Sequence, residues 1–255
     1  MFFKTKATSP PPKSAPTFPN NHVGYAIGDI HGCAEALKSL LKKIVIDFNL
    51  LENKSKLQPS LIFLGDYIDR GPSSKEVIDI LTSKLPREFE PIFLRGNHEE
   101  AFLDFIDDIS SGKTWFNHGG LDTLASYGLP VPVIGDFSAI DELKYCLRHA
   151  LPMKHEAFFR STVTSYEIGD YFFAHAGVNP ANPLNQQDDK SLLWIREPFL
   201  SSTRDLGACI VHGHTPVDTP DRKFNRINID TGAYSSGNLT CARFIGTDVH
   251  FIQSK

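Results

Sequence analysis

Three times between residues 23 and 109 the chain follows the same course: a short apolar run, a glycine-flanked polar cluster, then an amphipathic helix. Val23-Gly-Tyr-Ala-Ile27 leads into Gly28-Asp-Ile-His-Gly32, after which Cys33, Leu37, Leu40, Leu41 and Ile44 share one helical face. Leu61-Ile-Phe-Leu64 leads into Gly65-Asp-Tyr-Ile-Asp-Arg-Gly71. Val77, Ile78, Leu81 and Leu85 then mark a second helix, with Ser73 and Glu76 spaced for a capping box. Glu90 to Leu94 leads into Arg95-Gly-Asn-His-Glu99, followed by the periodic Ala101, Phe102, Phe105, Ile106 and Ile109. Uninterrupted apolar strands are those buried on both faces, and their alternation with helices calls for parallel pairing through right-handed crossovers. The sequence thus predicts an α/β core with every polar cluster at a strand's carboxyl end, the rim where such sheets collect ligands.

The remaining chain changes character twice. Residues 111–160 read as mainly helical, with Ser138 and Asp141 opening a stretch in which Ile140, Leu143, Leu147 and Leu151 recur. Beyond 161, β-branched and aromatic residues return in short runs at 162–168, 171–174, 209–211, 226–229, 239–245 and 248–252. These predict a second, largely antiparallel sheet. Residues 1–21, with Pro10, Pro11, Pro12, Pro16 and Pro19 among polar residues, predict a disordered tail, leaving 22–255 as one domain, a length ample for a single α/β core. No apolar run reaches the ~18 residues a membrane helix needs, and the first residues lack a signal peptide's apolar core, so the cytoplasm is the expected location. A formal charge of -4 leaves no basic footprint for nucleic acid. Cysteines 33, 146, 209 and 241 form no CxxC and read as reduced thiols.

The chemistry-bearing clusters are Asp29 with His31, Asp66 with Asp69 and Arg70, Asn97 with His98, His175, and His212 with His214. Imidazole mixed with carboxylate suits borderline divalent metals, and a carboxylate can bridge two ions. Positions i and i+2 of an extended turn project to one side, which lets Asp29 and His31 grip one ion. Any one pair reads equally well as a turn or a satisfied core histidine; five in succession behind strands do not. Trp115 with Phe116, and Phe158 with Phe159, read as core. Glu99 reads as outer support or a helix N-terminal charge, and His212 as a ligand's outer partner or a structural residue. His118, His149 and His155 match no ligand position.

Gly28-Asp-Ile-His-Gly32, Gly65-Asp-Tyr-Ile-Asp-Arg-Gly71, Gly96-Asn-His-Glu99, His175-Ala-Gly177 and Gly213-His-Thr-Pro216, in this order over residues 23–252, resemble the calcineurin-like metallophosphoesterases. The match is best to their phosphoprotein phosphatase branch in its bacterial and phage form, since Pro216 stands where broader members carry a second histidine. The resemblance implies an α/β/β/α sandwich of two mixed sheets flanked by helices. It also implies two divalent metal ions, most often manganese, with iron or zinc as alternatives. By motif, Asp29 and His31 would hold one ion, Asp66 would bridge, and Asn97, His175 and His214 would hold the second. His98 would be the general acid, oriented by Asp69, and Arg70, Arg196 and Asn97 would bind the substrate phosphate. The implied activity is hydrolysis of phosphoserine and phosphothreonine, with phosphotyrosine, in a protein or peptide partner, by in-line attack of a metal-activated water. The expected protein is a monomer that engages neither nucleic acid nor membrane. A symmetrical dinucleoside polyphosphate hydrolase on the same scaffold is the alternative. An inactive binding module would show gaps among these residues, and the sequence has none.

Overall fold

A computed structural model describes residues 15–108, 115–129 and 140–255. Strands β1 (His22–Ile27), β2 (Gln58–Phe63) and β3 (Glu90–Phe93) pair in parallel, joined by helices α1 (Ala34–Leu50) and α2 (Ser74–Ser83), and α3 (Asn97–Asp107) follows β3. Helices α4 (Leu121–Ser126), α5 (Ile140–Ala150) and α6 (Met153–Ser161) make up the helical excursion; Ile109 and Ser138 lie outside the described residues. Then come β4 (Ser165–Ile168), β5 (Tyr171–Ala174), helix α7 (Asp189–Trp194), β6 (Cys209–His212), β7 (Asp221–Arg222), β8 (Arg226–Asn228), the single turn α8 (Ala233–Ser236), β9 (Thr240–Ile245) and β10 (Asp248–Gln253).

The last two strands do not join the second sheet. They return to the first, whose order is β10-β9-β1-β2-β3, with β9 antiparallel to β1. The second sheet runs β4-β5-β6-β8-β7, and its central pairs, β5 with β6 and β6 with β8, are parallel. The expected antiparallel character holds only at its edges. A central parallel arrangement is possible because α7 and the long loops of 175–208 supply the crossover that a parallel pair requires.

Strand alternation divides the apolar runs between layers. Tyr25, Ile27, Leu61 and Phe63 face α1–α3 in one core, whereas Ala26, Ile62 and Leu64 meet Phe173, Val211 and Ile227 between the sheets. Phe172, Ala174 and Ile210 pack outward on Leu192 and Phe199 in a third core. These are the four layers of an α/β/β/α sandwich. They also explain why β1 and β2 lack a polar face, being covered on both sides, whereas the edge strand β3 stays partly exposed.

Two local expectations need correction. Ser73 precedes α2 but its side chain makes no capping bond, and Glu76 instead pairs with Lys38 of α1 at 2.6 Å. Residues 15–21 are not part of a disordered tail. Phe18 is fully buried between the sheets, 5.9 Å from Phe244 and 6.1 Å from Tyr171, and its N–H donates to Gly246 O at 2.7 Å. Gly24 makes room for it, since a Cβ there would lie 2.6 Å from the Phe18 ring. Residues 1–14 lie outside the described residues. All four cysteines are free thiols, and no helix among the described residues is long and apolar enough to cross a membrane.

Candidate active site

All the clusters converge at the carboxyl ends of β1, β2, β3, β5 and β6. Local backbone geometry puts them there. Among the described residues, the non-glycine positions with positive φ are His31, Asp66, Asp69, Arg70, His214 and Asn53, so all but Asn53 belong to the clusters. Left-handed conformations cost a side-chain-bearing residue of order 1–3 kcal/mol, and strain of this kind gathers at functional sites. Gly96 permits a close approach: a Cβ there would lie 2.1 Å from Asp66 Oδ1. Glu99 locks the same turn, accepting from the backbone N–H groups of Asp66, Tyr67 and Gly96 at 2.8, 2.8 and 2.9 Å. Burial, with the neighbouring Asp66 charge, pushes the Glu99 carboxyl up to about 8.

Asp66 is the hub. Its Oδ2 is 3.4 Å from His31 Nε2 and 3.8 Å from His98 Nε2, and its Oδ1 is 3.4 Å from His175 Nε2. Two compact donor groups share it, His31 with His98 and His175 with His214, each with ligand atoms within 4.8 Å of one another. Asn97 Oδ1 lies inside the second group, 2.9 Å from His175 Nε2 and 2.8 Å from His214 Nδ1. Asp29 turns one oxygen to the His214 N–H at 3.0 Å, and a Cβ on Gly213 would strike its other oxygen at 2.0 Å.

Tautomers show what the site is built to hold. His175 Nδ1 is 2.8 Å from Leu64 O and His31 Nδ1 is 2.9 Å from Ile68 O; a carbonyl only accepts, so both Nδ1 atoms carry the hydrogen. Burial lowers the pKa of His175 and pushes His31 and His214 down to about 3, so these rings are neutral. The His175 Nε2 lone pair therefore faces Asp66 Oδ1 and Asn97 Oδ1, acceptor against acceptor, an arrangement that a cation turns from repulsive to attractive. Burial, and the adjacent Asp230 and Asp66 carboxylates, hold Asp29 well above the ordinary carboxylate range. Burial would raise Asp66 too, but His175, His98, His31 and His214, as they take up protons in acid, together pull it well below. Asp29 Oδ1, His98 Nε2 and His214 Nε2 are buried with no protein partner. Neutral imidazoles, crowded carboxylates and partnerless donor atoms fit divalent metal.

His98 differs from the other histidines. Burial lowers its pKa, but Asp66 and Asp69 outweigh burial and raise it. Its Nδ1–H donates to Asp69 Oδ2 at 2.7 Å. Its inclusion in the first donor group contrasts with the sequence expectation, which keeps it apart from the ligands. Arg70 Nη1 donates to His31 Nε2 at 3.1 Å, while Arg196 is exposed, near enough to His214 to act on its ionisation. His212 points elsewhere, toward Arg226 and the Phe199 ring.

Several residues that carry the site escape sequence reasoning. The Trp115 indole N–H donates to Asp69 Oδ2 at 2.9 Å and Thr123 Oγ1 to Asp69 Oδ1 at 2.6 Å, so Trp115 is core, as expected, but also holds the partner of His98. Between them a π-helical turn, Phe116–Gly120, sets the His118 ring 6.1 Å from His98 and brings Gly119 O to the Arg70 N–H. Such turns are frequent at functional sites. Tyr234 and Asp230 complete the surroundings. The one local signal was the Gly119-Gly120 pair, which marks a turn without saying what it meets.

A family model, the calcineurin-like phosphoesterase, matches residues 25–245. The chain belongs to this family. Calcineurin-like relatives include the asymmetrical bis(5'-nucleosyl)-tetraphosphatase PrpE of Anoxybacillus flavithermus, 30% identical over 86% of this chain and 89% of the relative. Serine/threonine-protein phosphatase 1 of Salmonella typhimurium is 30% identical over 86% of this chain and 90% of its own length. Among solved structures, a cold-active protein-tyrosine phosphatase of a Shewanella species superposes with a TM-score of 0.55 at 15% identity, covering 94% of this chain and 83% of that one. At that identity the likeness shows the phosphoesterase fold alone.

Proposed function

We propose that the chain is a metal-dependent phosphomonoesterase that removes phosphate from phosphoseryl and phosphothreonyl side chains of proteins, and from phosphotyrosyl ones as well. The observation that carries this reading is the His98–Asp69 pair, with Nδ1 held at 2.7 Å by a fully buried carboxylate and Nε2 free of protein partners beside Asp66. A seryl alkoxide leaves poorly, so a positioned proton donor is worth about 10²- to 10⁴-fold. A phosphoanhydride's leaving group needs far less help. Against burial, the two flanking carboxylates raise the His98 pKa and so favour its protonated form. With Nδ1–H committed to Asp69, Nε2–H is the proton delivered to the departing oxygen.

Asp29 and His31 would hold one ion and Asn97, His175 and His214 the other, with Asp66 between them. Two such divalent ions, manganese in the simplest case, would lower the pKa of a shared water and neutralise the phosphate's charge. Arg70, and Arg196 at the rim, would take phosphate oxygens in their planar forks, a geometry lysine cannot supply.

The relative in Anoxybacillus flavithermus favours a second reading, hydrolysis of dinucleoside tetraphosphates, with asymmetrical rather than symmetrical cleavage. Turnover of a phosphoseryl peptide and of diadenosine tetraphosphate by the manganese-loaded protein separates the two. A kcat/KM at least tenfold higher on the peptide is expected. Faster cleavage of the dinucleotide to ATP and AMP would replace the first reading with the second. Full activity after exhaustive chelation, with metal loss verified by elemental analysis, would remove metal dependence from both.

A further inference from the structure

Tyr234 belongs to none of the motifs, yet it stands against two of their members. Its ring centroid is 5.4 Å from that of His31, nearly perpendicular at 86°, and the Arg70 guanidinium carbon lies 4.9 Å over the ring. The backbone beneath it is pinned. Gly232 and Gly237, both left-handed, bracket the single turn Ala233–Ser236; Asp230 Oδ1 accepts the Gly232 N–H at 2.9 Å, and Ala233 is buried. The residue as a whole nevertheless remains 43% exposed. An aromatic side chain fixed at its base and open at its edge, beside a phosphate-binding arginine, is placed to meet whatever the phosphate is attached to. On the other side of the donor cluster stands Trp194, its centroid 6.4 Å from His214 and 6.1 Å from His118, with its indole N–H fixed on Glu100 Oε2 at 2.6 Å. Both half-sites that share Asp66 therefore carry an aromatic ring at their margin.

We infer that Tyr234 is a specificity-determining residue that packs against the planar leaving group of an aryl phosphomonoester, such as a phosphotyrosyl side chain, while the phosphate docks on Arg70. The inference rests on the phosphomonoesterase reading of the site and assigns a contact to the aryl members of its substrate class. Aromatic pairs contribute about 0.5–1.5 kcal/mol beyond area burial, which corresponds to roughly 2- to 13-fold in affinity. Proximity supports a ring bonded directly to the phosphate. A bidentate guanidinium places phosphorus a few ångströms from its carbon, and the Tyr234 ring centroid lies 4.9 Å from that same carbon. The cation–π contact has a second effect, restricting Arg70 before substrate arrives.

The test compares the manganese-loaded wild type with Tyr234→Leu and Tyr234→Phe on phosphotyrosyl and phosphoseryl peptides of one sequence, with inorganic phosphate as competitive inhibitor. Tyr234→Leu is expected to raise KM for the phosphotyrosyl peptide about 3- to 10-fold more than for the phosphoseryl peptide. Tyr234→Phe should keep the wild-type ratio. Equal increases on both peptides, matched by weaker phosphate inhibition, would mean that Tyr234 acts only through Arg70 and would overturn the inference. So would an unchanged KM ratio between the two peptides. Wild-type protein inactive on every phosphomonoester would instead overturn the activity itself, before any variant is compared.

Discussion

The donor cluster at the strand ends and the segment 115–123 serve the same side chains by opposite means. In the cluster, each working residue sits within a few positions of the glycine that frees its backbone, as Asp66, Asp69 and Arg70 do between Gly65 and Gly71. Chemistry and conformation are written in one short stretch. In the segment, Trp115 acts on Asp69 from 46 residues away through one hydrogen bond and Thr123 from 54 residues away through two, accepting the Asp69 N–H at 2.9 Å and donating to Oδ1 at 2.6 Å, and neither residue type marks itself in the sequence. The groups that react need local strain, because their angles must be unusual. The groups that aim them need only a fixed place in a packed core, so ordinary core residues suffice.

If that division is right, damage to the cluster should be severe and damage to the segment graded. Asp66→Asn removes the one carboxylate both donor groups share. It should lower kcat/KM by about 10⁴-fold or more, several kcal/mol of metal-derived stabilisation, with manganese content by elemental analysis falling in parallel. Retained metal would show that Asp66 is not the hub. His98→Asn should keep its metal while losing about 10²- to 10⁴-fold in kcat on an alkyl phosphate, and much less on p-nitrophenyl phosphate, whose phenolate leaves unprotonated. Equal losses on both esters would take the proton-donor role from His98, and loss of metal would make it a ligand, as its place in the first donor group allows.

Trp115→Phe probes the segment. It deletes one hydrogen bond to the Asp69 carboxylate, worth about 1.5–3 kcal/mol, so a loss of about 10- to 150-fold at most in kcat on the alkyl ester is expected with metal content intact. Because the change acts through His98, the loss should again shrink on the aryl ester. A uniform loss would mean that Trp115 matters only as packing. Phe18→Ala belongs to neither region and should have the smallest effect on turnover. Emptying its place between the sheets should cost about 3–5 kcal/mol in a denaturant titration while kcat changes little. A large fall in kcat would tie the far end of the sandwich to the site.

The three strand, motif and helix units, the two-sided burial of the first two strands, and the residues that meet at the strand ends were legible in the sequence. Each of these is carried by periodicity or by a handful of consecutive residues. That β9 and β10 return to lie beside β1 was settled by tertiary packing, because alternation tells a strand which side chains face inward but not which neighbour it will pair with. It alone drew Phe18 out of a proline-rich leader into the space over Gly24, where the apolar area removed from water outweighs the cost of ordering a few residues. It alone put Trp115, His118 and Tyr234 around the site. Contacts across tens of residues are chosen by the free energy of the whole packed chain, and no local stretch records that choice.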